Sequence, residues 1–380
     1  MNYTLMHKNI PVADVSIYEE SGTITTVTAT HNPDHLPVGV HFRHGSFIDK
    51  RELNGWFRER CIPAMRDGAS KLLTGLNLHS LKQLVLYSNG LCLSDSYWFK
   101  PADSNKNWED VNFFGNSFSE DVGDLLLDIV PPNDKLDLCS PDNTTEGCLK
   151  KRWKIIDGRR CLVKGGEPPY FQQPINEVIS TMVMKQLGVP HIPYSLTWIN
   201  GEPYSVCEDF ITPETELVTA WRVMQIRPKA NHHSHFLHYI SLCEENGLTD
   251  IRRAIDEMIV VDYIIANEDR HFNNFGIIRN SDTLEWVSAA PIFDSGTSLD
   301  CGKDFHICKP FKVTHGEQLR LVSSYDWLDL SQLDGIDEEI NEFLSDEKIA
   351  VFIDEDRQKM LVDFVMARIG RLEEIVRNCR

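Results

Sequence analysis

The chain has 380 residues, 42% of them hydrophobic, with 57 acidic against 38 basic side chains and a formal net charge of −19. That length can bury a large core and predicts two or three domains, while so acidic a surface repels phosphate backbones and disfavours direct nucleic-acid binding. No basic-then-apolar leader opens it and no apolar run approaches 18 residues, so neither export nor a membrane span is expected.

Residues 1–130 read as an N-terminal accessory domain. The alternating runs Val12 to Tyr18 and Thr23 to Thr28 predict strands, and Ile48 to Met65 and Ser80 to Tyr87 predict helices. Trp108 to Leu127 is aromatic and acidic, and Pro131-Pro132-Asn133-Asp134 reads as a linker. Residues 131–210 read as a small, strand-rich lobe. In it, Ser140 to Lys151 combines the turn residues Pro141-Asp142-Asn143, the single glycine Gly147 and the hydroxyls of Ser140, Thr144 and Thr145, which predicts a mobile loop. Gly147 lets backbone approach an anion, and Lys150 or Lys151 adds charge. Trp153 to Ile156 and Arg160 to Lys164 read as strands joined by Asp157-Gly158-Arg159. Lys164 ends the second strand, whereas the competing Lys154 begins the first. A helix follows, with Glu177 in its opening turn and an apolar pattern running to Pro190. Tyr204 to Phe210 reads as a strand leaving the sheet.

Residues 211–380 read as a helical lobe. The histidines of Asn231 to His238 invite a metal reading, but no carboxylate or cysteine spacing completes a site, so the stretch reads as a polar loop opening a helix over Phe236 to Cys243. Ile251, Ala254, Ile255, Met258 and Ile259 recur at helical spacing. They lead into Asn267-Glu268-Asp269-Arg270-His271-Phe272-Asn273-Asn274-Phe275-Gly276. Farther on, Asp334 to Asp356 alternates acids with Ile336, Ile340, Phe343 and Leu344, a pattern of solvated helix faces. Ten scattered cysteines form no C-x-x-C pair, which suits reduced thiols in a cytoplasm.

The Asn267 to Gly276 segment is the most informative. Asp269 precedes Asn274 by five residues, and Pro291-Ile292-Phe293-Asp294 supplies a second carboxylate 25 residues after Asp269. One carboxylate to orient a hydroxyl, with an amide and a carboxylate to hold a metal, is the minimum equipment for phosphoryl transfer from ATP. In that reading Asp269 faces the acceptor hydroxyl, Asn274 and Asp294 hold Mg²⁺ through oxygen, and Arg270 and His271 brace the loop.

These residues resemble the HipA-like kinase family. The pattern N-x-D-R-H-x-x-N-x-G falls on Asn267, Asp269, Arg270, His271, Asn274 and Gly276, and P-x-[YF]-D falls on Pro291, Phe293 and Asp294. The resemblance covers roughly residues 145–370. It implies an α+β, two-lobed, protein-kinase-like fold with a mostly helical C-lobe and an additional N-terminal α/β domain. It also implies Ser/Thr protein kinase activity with ATP and Mg²⁺. Lys164 would then be the nucleotide lysine, Glu177 its ion-pair partner and Asp269 the catalytic carboxylate. The candidate nucleotide contacts are Lys164, Gly147, Lys151, Glu208, Phe210, His271, Asn274 and Asp294. Glu208 and Phe210 lie at the hinge, where backbone groups meet adenine. The loop holding Gly147 is the weakest match, yet it can carry a self-phosphorylation site in the family. Several members are toxins restrained by a DNA-binding antitoxin, so a protein substrate and an antitoxin-like partner are expected, without direct DNA contact. Two other readings remain: a catalytically inactive nucleotide-binding regulator, and a kinase-fold enzyme that acts on a lipid or small molecule or transfers AMP.

Overall fold

In the computed structural model, residues 1–43, 47–66, 68–131, 136–301 and 309–379 are described. Residues 132–134 of the expected linker lie outside them. The architecture is α+β and two-lobed, as the resemblance implies, with a further sheet-and-helix block ahead of the lobes. Among the described residues no helix is long and apolar enough to cross a membrane.

The first block is built on an antiparallel sheet in the order Thr23–Thr30, Ile10–Tyr18, Asn2–His7, Tyr97–Pro101. Alternation turns Val12, Val15 and Ile17 inward, where they meet Leu53, Trp56 and Phe57 of the helix Lys50–Glu59. Asp49 caps that helix by accepting from the Arg51 and Glu52 amides. The helix expected over Ile48 to Met65 is shorter, running only from Lys50 to Glu59.

The small lobe carries an antiparallel sheet in the order Lys151–Ile156, Arg159–Gly165, Glu202–Glu208, Ser195–Ile199. The helix Gln172–Gln186 packs against it and starts two residues before Pro174, since Pro is tolerated in a first turn that lacks amide acceptors. The larger lobe centres on the helix Ile251–Ile264, buried nearly all round among the helices His235–Glu245, Ile336–Leu344 and Glu355–Cys379. A three-stranded sheet, Thr215–Thr219, Gly276–Asn280 and Trp286–Ala289, receives the chain as it leaves that helix. Ile336, Ile340 and Leu344 are buried, Glu338 is exposed on the far side of their helix, and Asp337 and Glu339 are half-buried at its flanks, Glu339 accepting from the Gln186 side chain at 2.6 Å.

The first block touches both lobes. Leu127 packs with Val163 and Tyr204 of the small-lobe sheet, and Met6 and Trp98 pack with Ile211 and Ile278 of the larger lobe. Polar contacts follow the same seam. His7 Nε2 lies 2.8 Å from Glu216 Oε1, and the Glu216 carboxylate also takes the Arg279 guanidinium at 2.5 Å, all three being buried.

The segment Ser140–Lys151 departs from the expected mobile loop. Pro141–Thr144 forms a 3-10 turn with Ser140, Asp142 and Asn143 fully buried. The Thr144 hydroxyl donates to the Leu91 carbonyl at 2.9 Å, and the Thr145 hydroxyl accepts from Arg66 at 2.5 Å. The Trp153 amide donates to Asp142 at 2.6 Å. Turn chemistry marked the bend correctly, but two of the partners that hold it, Leu91 and Arg66, lie 53 and 79 residues away.

Candidate active site

Strand register places two lysines together. Lys151 and Lys164 sit directly opposite each other on neighbouring strands, and both side chains are buried. Like charges at such positions repel, so something anionic must offset them. Lys164 Nζ lies 2.5 Å from Glu177 Oε1 and 2.5 Å from Asp294 Oδ1, and 5.3 Å above the Tyr194 ring. Burial alone would lower the Lys164 pKa, but Asp294 and Glu177 outweigh it and hold the ammonium well above its ordinary range. Burial pulls Lys151 down to about 8, with Asp294 opposing the shift. Lys154, the rejected alternative, is exposed and lies 3.6 Å from Glu120.

The helix Gln172–Gln186 supplies the counter-charge and also fixes where Asp294 stands. Glu177 Oε2 accepts the Ser295 amide at 3.0 Å. One residue earlier, the Asn176 side chain donates to the carbonyls of Gly296 at 2.9 Å and Ser298 at 2.7 Å. Ile292 exchanges backbone hydrogen bonds with the Pro190–Ile192 stretch, at 2.9 Å each way. Asp294 itself adopts a left-handed backbone, φ 56°, with its amide donating to the Tyr194 hydroxyl at 3.3 Å. A non-glycine residue in that region is strained. Burial would raise its pKa, yet Lys164 and Lys151 hold the Asp294 carboxyl well below the usual carboxylate range.

The loop after Ile264 is set by Arg270. Its buried guanidinium takes the Asp262 carboxylate, the Asn274 carbonyl at 2.8 Å, the Phe293 carbonyl and the Ser295 hydroxyl at 3.2 Å. One side chain thus ties the loop to the Asp294 segment. Asn267 bridges Asp262 and the Asp269 amide at 3.0 and 3.1 Å. The Asn274 amide nitrogen donates to the Asp269 carbonyl at 2.9 Å, which leaves its oxygen as the end for a cation. Gly276 is required by close approach: a Cβ there would sit 2.2 Å from the Val218 carbonyl.

Asp269 is half-buried, and among the described residues its carboxylate takes no donor, because its hydrogen bonds are made by its backbone. Burial, then the nearby Asp294 charge, push it up to about 7. His271 accepts the Asn273 amide at 3.2 Å, and burial lowers its pKa. Glu268 turns the other way. It pairs with Lys309 and with His315 at 3.1 Å, and these partners overcome burial to bring it down to about 2.

Gly147 takes φ +85°, and a Cβ there would lie 2.5 Å from Lys151 Nζ. The Glu208 side chain is exposed and pairs with Arg159 at 3.3 Å. Phe210 packs at a tilt against Phe293, ring centroids 5.5 Å apart, next in sequence to Asp294. The fold therefore gathers Lys151, Lys164, Glu177 and Asp294 around one set of contacts, and Arg270 carries Asp269, His271 and Asn274 to the same place. The Glu208 side chain stands apart from them. Sequence reading missed Tyr194 and Ser295, whose roles arise from contacts distant in the chain, and also Asp262, which lies only five to eight residues from its partners Asn267 and Arg270. The oxygens of Asp294 and Asn274 form a hard donor set that fits Mg²⁺, and the paired lysines fit a polyphosphate.

No family model matches this chain. Over 158 residues it is 25% identical to the serine/threonine-protein kinase CtkA of Helicobacter pylori, which is 38% of this chain and 46% of that protein. The chain thus spans about half the length of this curated relative. Among solved structures it aligns over 99% of its length, and 99% of the other chain, with the Shewanella oneidensis toxin–antitoxin complex of HipA, HipB and operator DNA, at TM-score 0.54 and 14% identity. The crystal structure of CtkA aligns with 59% of this chain and 95% of its own at 20% identity and TM-score 0.40. At such identities the structural likeness speaks for fold. The chain resembles the HipA-like serine/threonine kinase family, in fold along its whole length and in the motifs around Asp269 and Asp294.

Proposed function

We propose that this protein is an ATP- and Mg²⁺-dependent Ser/Thr protein kinase of the HipA-like type. The observation that carries the reading is the buried cross-strand pair Lys151–Lys164, in which Lys164 is ion-paired to Glu177 and Asp294. Two buried ammonium groups at adjacent positions have no structural benefit that one apolar pair would not supply better, whereas a polyphosphate needs them.

Bound Mg²⁺ supplies neutralisation of the phosphate charge and a template for in-line transfer. Asp294 and Asn274 would hold it. Lys164 and Lys151 would bind the phosphates, with Glu177 keeping the Lys164 ammonium in place. The Asp269 carboxyl, with its pKa pushed up to about 7 and without a hydrogen-bond donor among the described residues, can in its ionised form accept the proton of an acceptor hydroxyl. Backbone of the Glu208–Phe210 stretch would meet the adenine, and His271 would border the nucleotide.

A protein acceptor is favoured over a lipid by the net charge of −19, which repels anionic membrane surfaces. An antitoxin-like protein partner is part of the proposal, and any association with DNA would pass through that partner. Self-phosphorylation at Ser140, Thr144 or Thr145 would require the buried turn to open, because Ser140 is fully buried and both threonine hydroxyls are engaged.

The test is phosphopeptide mass spectrometry of a dephosphorylated soluble proteome treated with the chain and Mg-ATP. New phosphate on Ser or Thr, absent with Asp269→Asn, is the expected result. AMP adducts in place of phosphate, or no modification by the wild type, would reject the kinase reading.

A further inference from the structure

The turn before Lys151 is held from outside its own lobe by Arg66, a residue of the first block. Arg66 is 2% exposed. Its Nε donates to the Gly147 carbonyl at 2.8 Å, its Nη1 to the Thr145 hydroxyl at 2.5 Å, and its Nη2 to the carbonyls of Thr145 and Glu146 at 2.6 Å each. Three successive carbonyls therefore converge on one guanidinium. A buried arginine is costly without this fork of acceptors.

The arrangement has a consequence on the other side of the loop. In a trans peptide the C=O and N–H point in opposite directions. With the carbonyls of 145, 146 and 147 turned to Arg66, the amides of Glu146, Gly147 and Cys148 turn away from it. Among the described residues none of these amides donates to a protein acceptor. Successive free amides around a left-handed glycine make an anion-binding concavity. The Lys151 ammonium stands at Gly147, so close that a Cβ on that glycine would be 2.5 Å from it.

We propose that Arg66 is a positioning residue for the nucleotide phosphates, and that the first block sets phosphate affinity through it. The inference rests on the nucleotide reading of the cleft. Arg66 touches no phosphate. It fixes three peptide planes so that their amides form the cradle beside Lys151, and among the described residues the hydrogen bonds of its guanidinium all go to Thr145, Glu146 and Gly147. Lysine cannot replace it, because one ammonium cannot span the acceptors that the planar fork reaches.

The test compares binding of Mg-ATP and of adenosine to wild type, Arg66→Met and Arg66→Lys by isothermal calorimetry. Arg66→Met should weaken Mg-ATP about tenfold or more, the effect of losing a buried charged hydrogen-bonding group, and leave adenosine unchanged. Arg66→Lys should recover little of the loss. If Arg66→Met does not fold, Thr145→Val removes one of the acceptors and should weaken Mg-ATP by a smaller factor, again sparing adenosine. Unchanged Mg-ATP affinity in the folded variant, or equal weakening of both ligands, overturns the proposal. Binding of neither ligand to the wild type would instead reject the nucleotide reading itself.

Discussion

Asp269 is held in an environment that disfavours its charged form. Its folded pKa of about 7 lies above its unfolded value near 4. The stability linked to it is therefore fully present below about pH 4 and is lost as pH rises through 7. A shift of that size converts to about 4 kcal/mol, and partial exposure reduces it to roughly 1–2 kcal/mol. Asp269→Asn should therefore raise the melting temperature at pH 8 in EDTA, with the gain vanishing near pH 4, while lowering phosphoryl transfer by roughly 10²–10⁴-fold. Scanning calorimetry at both pH values and a transfer assay check this. A variant less stable than wild type at pH 8 would contradict the account of Asp269. The position was legible in the sequence because its neighbours Asn267, Arg270 and Asn274 are local, and spacing alone reports local geometry. Tyr194 and Arg66 were not legible. Each acts on a segment at least 79 residues away in the chain, and nothing in a single sequence marks such a pair.

At the scale of elements, the decisive contact joins the helix Ile251–Ile264 to the loop that follows it. Arg270 and Asp262 are 1% and 3% exposed. Removing one member of a buried pair strands the other charge. Arg270→Met should cost roughly 3–5 kcal/mol, whereas Arg270→Met with Asp262→Leu should cost less than the sum of the single changes. Urea unfolding of the four proteins of this cycle measures the coupling, and strict additivity would show that the pair does not act as a unit. Strands and helices were read well where periodicity was strong, as in Ile10–Tyr18 and Ile251–Ile264. Within Ser140–Lys151, expected to be a mobile loop, Pro141–Thr144 is a buried turn, because turn residues report a change of direction and say nothing of tertiary anchors.

At the scale of the whole molecule, the first block and the larger lobe share a buried charge cluster. The Glu216 carboxyl would be raised by burial, but Arg279 and His7 hold it well below the ordinary range. Its folded pKa is depressed, so its stabilisation is present above about pH 4 and fades as pH falls further. Glu216→Gln should cost roughly 3–5 kcal/mol at pH 7 by stranding Arg279, and this penalty should shrink on acidification. Denaturant titrations at pH 7 and pH 3 test the sign, and a penalty that grows at low pH would contradict it. The proposed nucleotide site would likewise span the molecule, since Lys164 and Glu177 come from one lobe, Asn274 and Asp294 from the other. The most direct measurement of the central claim is a calorimetric titration of ATP, with Mg²⁺ or with EDTA, into wild type and Asp294→Ala. Wild type should bind ATP more tightly with Mg²⁺ than with EDTA, and Asp294→Ala should lose that difference. ATP affinity indifferent to both EDTA and Asp294→Ala would contradict a metal-assisted phosphoryl-transfer site.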